Sequence, residues 1–247
     1  TGPTGSGKTT TLYTTLRHLA TPEVNVCTVE DPIEMIMPDL NQMQVQPTID
    51  LSFAQGIRTL LRQDPDIIMV GEIRDLETAQ MAVQAALTGH LVLSTLHTND
   101  AASAITRLLD LGIPPYLIQN VLIGIMAQRL VRTLCPHCKE PGQIDDALWE
   151  ALVHPLRLPK PEAISKPHGC LECRNTGYLG RVGLYELLAV TPELRRLFQA
   201  EIDEDALRCA AFEKGMRPLR VSAALQIAAG LTTFEEVMQI LPPLDHP

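Results

Sequence analysis

The sequence has 247 residues, of which 45% are hydrophobic and 20% charged, and its formal net charge at pH 7 is −9. This composition is typical of a globular protein that buries a full core in one or two domains. The acidic balance argues against a nucleic-acid-binding surface and against a polybasic membrane anchor. A protein or a membrane protein is therefore the expected partner.

Neither an export signal nor a membrane span is predicted. The longest apolar stretches, such as Val121–Ala127, are much shorter than a membrane-spanning helix. The chain also starts without the basic residues and apolar run of a signal peptide. We therefore expect a cytoplasmic protein, in which the six cysteines favour metal binding or free thiols over disulfides.

The chain opens on a phosphate-binding loop. Residues 2–9 read G-P-T-G-S-G-K-T, which matches the pattern Gly-x-x-x-x-Gly-Lys-Ser/Thr at every specified position. Lys8 is expected to reach the β- and γ-phosphates of ATP, and the Thr9 hydroxyl to bind Mg²⁺. The predicted nucleotide-binding residues are Gly2, Pro3, Thr4, Gly5, Ser6, Gly7, Lys8, Thr9 and Thr10.

A phosphate loop normally follows a strand, and no residue precedes Thr1 to form one. We therefore expect a fragment of a longer protein, without the first strand of its core. The isolated fragment is expected to hydrolyse ATP poorly, because a loosely held loop positions the phosphates badly.

Helices and strands alternate through residue 96. This alternation predicts an α/β fold with a parallel sheet and helices on both of its faces. Ligands then bind beyond the carboxyl ends of the strands. The predicted helices are Gly7–Leu19, one capped by Asp50 that runs through Arg62, and Leu76–Leu87 capped by Asp75; the predicted strands are Val24–Val29, Ile67–Val70 and Leu91–Leu96.

Three candidate catalytic residues follow these three strands. Glu34, the last of three closely spaced carboxylates, is the candidate general base that orients the attacking water. Glu72 is predicted to hold Mg²⁺ together with Thr9, and it is also the rival general base. His97 is predicted to hydrogen-bond the γ-phosphate, and His90 is a weaker candidate for the same role.

Arg58, Arg62 and Arg74 lie near these acidic residues in the sequence. An arginine that stabilises a transferring phosphoryl group often comes from another subunit. The alternative is ion pairing with a nearby aspartate, namely Asp64, Asp66 or Asp75. The sequence leaves both interpretations open.

Beyond Asn99 the chain is predicted to be mainly helical. The expected elements are Asn99-capped Asp100–Asp110, Pro115–Val131, a strand at Arg181–Leu188, and short helices that begin at Thr191, Asp203, Pro218 and Thr233. We divide the chain into an ATPase core (1–128, without its first strand), a zinc-binding subdomain (129–188) and a helical C-terminal subdomain (189–247).

Two C-x-x-C pairs predict a structural zinc site. Cys135 and Cys138 precede Cys170 and Cys173 by a spacing that suits tetrahedral coordination by four cysteines. Four unpaired thiols and redox chemistry are the alternatives. The two remaining cysteines are expected to be packing residues, Cys27 in a buried strand and Cys209 in a helix.

From Thr1 to about Leu241 the sequence resembles the motor domain of the bacterial secretion ATPases. The matching segments are the Walker A loop at 2–9, an Asp box at Val29–Glu34, an atypical Walker B segment at Leu61–Asp75 and a His box at Thr88–Asn99. The stretches Arg129–Pro141 and Gly177–Glu186 are most similar to the type II secretion member, the GspE type. Pilus-assembly ATPases also carry the four-cysteine element, whereas retraction ATPases typically lack it.

The resemblance implies a RecA-like P-loop ATPase that acts as a hexameric translocase on the cytoplasmic side of the inner membrane. The N-terminal domains of this family are expected to be missing here, so the isolated chain is expected to be mostly non-hexameric. Its partners would be inner-membrane platform proteins, through which it contacts the membrane indirectly and drives pseudopilus assembly in type II protein secretion. A type IV pilus assembly ATPase is the alternative. By the same resemblance, Glu34 activates water, Glu72 belongs to the metal shell, and His97 senses the γ-phosphate.

Two other classes remain open. A RecA-like nucleic-acid motor with a zinc ribbon would share the first two signatures, but the net charge of −9 argues against it. A zinc-binding interaction module with a decayed nucleotide site is disfavoured, because Lys8, Thr9, Glu34 and Glu72 are all present.

Overall fold

A computed structural model describes residues 1–154 and 156–241. The chain divides into two compact units. The first contains Thr1–Thr4, Lys8–Ile125 and Leu188–Ala211; the second contains Gly5–Gly7, Met126–Leu187 and the residues from Phe212. The three-part division expected from the sequence stays a prediction, and the last six residues of its third part, 242–247, lie outside the described residues.

The first unit is built around a parallel four-stranded sheet with the strand order β2-β1-β3-β4. These strands are β1 (Val26–Glu30), β2 (Asn41–Gln44), β3 (Ile67–Val70) and β4 (Leu91–Ser94). Both β1 and β3 are buried along their whole length, as their apolar, β-branched sequences predict. The predicted α/β fold with a parallel sheet is confirmed.

Helices cover both faces of this sheet. On one face α1 (Lys8–Leu19) packs Tyr13 and Leu16 against Val26 and Met69. On the other face lie α2 (Phe53–Leu60) and α3 (Leu76–Leu87). Their apolar side chains pack against alternate strand residues, which are Cys27, Val29, Ile68 and Val70. This alternation is what two buried faces require of a strand.

Between β1 and β3 the structure differs from the predicted elements. The helix expected after Asp50 begins later, because Asp50 adopts a left-handed conformation with a φ of 57° at the end of a short 3-10 helix, Pro47–Ile49. Ser52 caps α2 instead, by accepting a hydrogen bond from the Gln55 backbone. The strand β2 was not predicted.

The helix predicted over Pro115–Val131 is wrong in its second half. The helix α5 (Pro115–Val121) ends where Leu122 turns to an extended conformation, and β5 (Gly124–Leu134) follows. This strand pairs with β8 (Tyr178–Ala189). A partner so distant in the sequence overrides the local helical pattern, in which Gly124 is also a weak helix former. The division between the two units falls within both strands.

The remaining elements complete the two units. They are α4 (Ala101–Asp110), β6 (Glu140–Gly142), α6 (Asp146–Val153), β7 (Ile164–Lys166), α7 (Pro192–Arg195), α8 (Glu204–Glu213), α9 (Leu219–Ala228) and α10 (Phe234–Ile240). The last four helices begin directly after the predicted residues Thr191, Asp203, Pro218 and Thr233. Three of those residues cap through their side chains; Pro218 does not.

Candidate active site and cysteine cluster

The phosphate loop leads directly into α1. Its glycines Gly2, Gly5 and Gly7 have φ values of 149°, 79° and 86°, which only glycine adopts readily. The Lys8 ammonium donates to the carbonyls of Gly2 at 2.7 Å and Pro3 at 3.1 Å. The lysine that is expected to contact the phosphates is therefore folded over the loop that would hold them.

The predicted nucleotide-binding residues divide between the units. Gly2, Pro3, Thr4, Lys8, Thr9 and Thr10 belong to the first unit, whereas Gly5, Ser6 and Gly7 are grouped with the second. The Ser6 hydroxyl is buried, and no described residue is its hydrogen-bond partner. A buried hydroxyl of this kind is costly unless it is satisfied, so a phosphate oxygen would suit it.

The carboxylates after β1 have different environments. Glu30 is buried and accepts hydrogen bonds from Thr28 at 2.6 Å and from Tyr13. Glu34 is exposed, and one of its carboxylate oxygens lies 3.5 Å from the Thr9 hydroxyl. The structure thus leaves Glu34 open to a substrate and places it beside the residue expected to bind Mg²⁺.

Glu72 lies at the centre of a second group of polar side chains. It forms an ion pair with Arg74, and its other carboxylate oxygen is 3.5 Å from His97 Nε2. Arg74 also lies 3.9 Å from Asp31, which follows β1. Glu72 is mostly buried, since 16% of its side chain is exposed, whereas 48% of the His97 side chain is exposed. Residues that follow three neighbouring strands therefore meet at one edge of the sheet.

The remaining candidates have structural contacts. His90 precedes β4, at the opposite end of that strand from His97, and its Nδ1 lies 2.9 Å from the Ala85 carbonyl of α3. Arg58 lies 3.9 Å from Glu77, and Arg62 donates to the Arg58 carbonyl at 2.7 Å.

Among the described residues, Arg58 and Arg74 pair with acidic residues other than Asp64, Asp66 and Asp75, the three aspartates that the sequence left open as partners. Asp66 accepts from the Asn25 backbone, and Asp75 caps α3. Asp64 has a left-handed backbone with a φ of 50°, and its carbonyl accepts from the Asn25 side chain. Asp75 is thus engaged by its own helix, whereas Asp64 and Asp66 contact Asn25 just before β1.

The chain after His97 is fixed at the start of α4. Asp100, rather than the expected Asn99, caps this helix by accepting from the Ser103 backbone at 2.9 Å. Arg208 on α8 donates to the same carboxylate at 3.2 Å. The segment that carries His97 is thereby tied to α8, a contact that the sequence did not indicate.

The four predicted zinc ligands form one cluster in the second unit. Their Sγ atoms all lie within 4.8 Å of one another. Three Sγ–Sγ distances are 3.8 Å (Cys135–Cys170), 3.8 Å (Cys138–Cys173) and 3.7 Å (Cys170–Cys173). A tetrahedral zinc with Zn–S bonds of about 2.3 Å requires edges of about 3.8 Å, and a disulfide requires a separation of about 2.05 Å. The cluster therefore fits zinc and is not disulfide-bonded.

Backbone N–H groups stabilise negative charge within this cluster. Gly169 donates to Cys138 at 3.3 Å, and Gly177 donates to Cys173 at 3.2 Å. Burial raises the pKa of Cys173, but the backbone N–H donors of Cys170 and Gly177, together with the thiols of Cys170 and Cys138, lower that pKa to about 6. The pKa of Cys138 is instead raised to about 12, because burial outweighs the Gly169 donor. The thiolate is the metal-binding form of cysteine. Any larger residue at Gly177 would collide with Pro167, because an added Cβ would lie 2.4 Å from it.

The two cysteines outside the cluster differ. Cys27 is buried in β1 as predicted, where burial raises the pKa of its thiol. Cys209 is exposed on α8. The prediction that Cys209 is a packing residue is therefore wrong, because the helix buries its opposite face through Leu207 and Ala211.

The chain is similar to a known protein family over most of its length. The model of the family described as "Type II/IV secretion system protein" matches residues 1–239. The chain belongs to this family. The match includes residues of both units and the four cysteines, so the family assignment rests on residues 1–239 and not only on the phosphate loop.

Several curated members of the family are similar in sequence. The type IV pilus assembly ATPase TfpB of Acinetobacter baylyi is 57% identical over 242 residues, which are 98% of this chain and 41% of that protein. The type II secretion system ATPase E of Vibrio cholerae is 50% identical over 244 residues, 97% of this chain and 47% of that protein. The chain thus spans less than half the length of these relatives.

Two solved structures share the fold of this chain. The pilus retraction motor PilT, solved with bound ADP, matches 98% of this chain and 60% of its own, with a TM-score of 0.70 and 31% identity. The ATPase DotB of Legionella pneumophila matches 96% of this chain and 57% of its own, with a TM-score of 0.67 and 27% identity. Within residues 1–154 and 156–241, no helix has the length and hydrophobicity that a membrane crossing requires.

Proposed function

We propose that this chain hydrolyses ATP at the carboxyl edge of its parallel sheet. The observation that carries the proposal is the convergence of side chains from separate segments at that edge. Thr9 lies beside Glu34, and His97 lies beside Glu72. Phosphoryl transfer is catalysed mainly by positioning and by charge stabilisation, and this edge offers the groups for both.

Each residue has a distinct role in this proposal. Lys8 neutralises charge on the β- and γ-phosphates, while Thr9 and Glu72 hold Mg²⁺. Glu34 orients the attacking water and accepts its proton, because its exposed carboxylate lies beside Thr9. His97 hydrogen-bonds the γ-phosphate. Bound Mg²⁺ would supply neutralisation of the charge that develops on the phosphate oxygens.

The four cysteines are proposed to bind one structural Zn²⁺. All four ligand positions of a tetrahedral ion are then filled by thiolates, which leaves no position for a reactive water. The Sγ–Sγ distances of 3.7 and 3.8 Å support this role. The division into a core (1–128), a zinc-binding subdomain (129–188) and a helical subdomain (189–247) is proposed with it.

We further propose that ATP hydrolysis drives pseudopilus assembly in type II protein secretion. The support is sequence identity to two type II secretion proteins. The chain is 50% identical to the type II secretion system ATPase E of Vibrio cholerae and 49% identical to the type II secretion system protein E of Pseudomonas aeruginosa. In this proposal the motor is a homo-hexamer at the cytoplasmic side of the inner membrane, held there by platform proteins and acting on no nucleic acid. The net charge of −9 agrees with a protein partner.

Type IV pilus assembly is the second candidate. The observation that favours it is the 57% identity to TfpB, which exceeds the identities to the type II secretion relatives reported above. The chemistry at the sheet edge would be the same for both candidates, so only the partner machinery separates them.

Phosphate release from MgATP tests the proposed activity. It is measured with this chain and with chimeras in which the chain replaces the matching segment of the type II ATPase or of TfpB. We expect Lys8→Ala to lower turnover by at least about 100-fold, since a preorganised phosphate contact is lost. Wild-type rates in Lys8→Ala would contradict the proposal. Restored secretion or restored pili in the two host strains then identifies the process.

A further inference from the structure

The segment that carries the proposed general base is held by side chains and not by a sheet or helix. Residues 33–37, here called the Glu34 segment, form neither element. Gln42 accepts a hydrogen bond from the Met37 backbone at 2.7 Å and donates to the Met35 carbonyl at 2.9 Å. Gln44 accepts from the Ile33 backbone at 3.3 Å. Glu34 therefore lies between anchored neighbours on both sides.

The anchoring residues are on one face of β2. Gln42 and Gln44 are two residues apart, and side chains two apart on a strand point to the same side. The residues between and beside them have other partners. Met43 packs against the core of the opposite face, and Asn41 donates to the Asn25 side chain at 2.9 Å. One face of β2 therefore contacts the Glu34 segment, and its other face packs against the core through Met43.

Gln42 is itself fixed by the buried pair Tyr13 and Glu30. Its side-chain nitrogen lies 3.2 Å from both the Tyr13 hydroxyl and a Glu30 carboxylate oxygen. Tyr13 donates to Glu30, and the Met35 backbone N–H approaches the Tyr13 oxygen at 3.5 Å. Burial, reinforced by the bond to Glu30, raises the pKa of Tyr13 to about 12. Tyr13 therefore remains a neutral hydrogen-bond donor under physiological conditions.

This network connects two parts of the proposed site. Tyr13 is on α1, the helix that begins at Lys8 and carries Thr9 in its first turn. Gln42 is bonded to Tyr13 on one side and to the Glu34 segment on the other. The position of Glu34 relative to Thr9 is consequently set by interactions that begin on the phosphate-binding helix itself.

We propose that Gln42, supported by Tyr13 and Glu30, is a positioning residue that fixes the position of Glu34 relative to the phosphate-binding helix. The inference rests on the proposed function, in which Glu34 is the general base. Gln42 touches no reacting atom in this role. It acts through the backbone on either side of Glu34, where a displacement of about 1 Å is enough to reduce catalysis strongly.

The first test compares Gln42→Met with Asn41→Ser in the hydrolysis assay. Methionine keeps the size of the side chain and removes its hydrogen bonds, and Asn41 is the matched control on the same strand. We expect Gln42→Met to lower kcat by about tenfold and to change KM for MgATP by less than about twofold. Asn41→Ser should change neither parameter. A rise in KM with unchanged kcat would overturn the proposal.

The same substitution in a Glu34→Gln background shows whether Gln42 acts through Glu34. Residues that act as a unit have non-additive effects. We expect Gln42→Met to cause no further loss of kcat once the carboxylate is absent. An equal, tenfold loss in both backgrounds would mean that Gln42 acts elsewhere. If the parent protein shows no Lys8-dependent turnover, the proposed function itself fails.

Amide hydrogen exchange provides a measurement that needs no turnover. In the parent protein the Met37 N–H is bonded to Gln42 and should exchange slowly. We expect Gln42→Met to speed its exchange by at least about tenfold, while the amides of β3 stay protected and show that the fold is intact. Unchanged protection of Met37 in that variant would overturn the inference, whatever the activity of the protein.

Discussion

The sheet edge and the cysteine cluster are two polar sites that are organised in opposite ways. At the sheet edge, Glu34, Glu72 and His97 follow different strands, and Glu34 and His97 are exposed. In the cluster the four sulfurs lie within 4.8 Å of one another, and Cys138 and Cys173 accept hydrogen bonds from nearby backbone N–H groups. The open sheet edge suits the proposed catalytic role, in which partners change during a reaction, and the enclosed cluster suits the proposed role of holding a metal.

Of the changes at these two sites, removal of zinc should have the largest effect on the folded structure. We expect Cys138→Ser to lose the metal and to unfold the region Cys135–Tyr185, because structural zinc contributes roughly 10–16 kcal/mol in small finger peptides. The parallel sheet should remain folded. Metal analysis and limited proteolysis measure the two outcomes.

Cys209→Ser is the control for this experiment, since Cys209 is exposed and lies outside the cluster. It should retain one zinc per chain. Parent protein purified without chelators that contains no zinc would contradict the assignment of the cluster.

Separate substitutions of the two glutamates would sharpen the description of the sheet edge. We expect Glu34→Gln to bind MgATP normally and to lower kcat by about 100-fold, as loss of a general base does. Glu72→Gln should weaken Mg²⁺-dependent nucleotide binding as well as turnover. Nucleotide affinity with and without Mg²⁺, together with kcat, distinguishes the two roles.

Glu23→Gln is a suitable control, because Glu23 is an exposed residue in a turn away from these contacts. It should change neither affinity nor turnover. Equal loss of nucleotide binding in Glu34→Gln and Glu72→Gln would mean that the two carboxylates do not have separate roles.

The smallest expected effect concerns acid stability in the second unit. Glu236 is buried, and its hydrogen bonds from Arg132, at 2.9 Å to Nε, lower the pKa of the carboxyl group. Because the folded-state pKa lies below the unfolded value, this contribution is full above an ordinary glutamate pKa of about 4.3 and is lost as the pH falls through the lowered pKa.

Unfolding of the parent and of Glu236→Gln, measured between about pH 6 and pH 3, tests this contribution. We expect the variant to show a flatter pH dependence, by less than about 1 kcal/mol, since the Arg132 side chain is 48% exposed and its ion pair is screened by water. Identical pH dependence would contradict the assigned pair.

The parts of the fold that were predictable have local signals. The predicted bounds of α3 and β3 agree with the structure residue for residue. Asp75 caps α3, Gly89 with a φ of 102° follows it, and β3 is a short buried apolar run. Such features depend on neighbours within a few residues, so the sequence contains them directly.

The parts that were missed depend on distant partners. The strand β2 has the polar sequence N-Q-M-Q and forms because it pairs in parallel with β1. The strand β5 forms because it pairs with β8. Local propensity is a weak guide when a tertiary contact competes with it.

The candidate site shows the same limit. The placement of Glu34, Glu72 and His97 at one edge follows from their positions after strands, and the structure brings them there. Gln42 was not identified, because its importance comes from bonds to a segment that the sequence alone does not place beside it. The sequence signal that was available is the spacing of Gln42 and Gln44, which are two residues apart and therefore lie on the same face of a strand.

The ion pair of Arg74 also has a thermodynamic consequence for cation binding. Arg74 contacts Glu72 and lies 3.9 Å from Asp31, so one guanidinium group spans carboxylates that follow neighbouring strands. A divalent ion that coordinates Glu72 must share or displace this guanidinium, and the two cations repel each other. The apparent affinity for the ion is then the difference between two competing equilibria, and it is lower than the acidic composition of the edge alone would suggest.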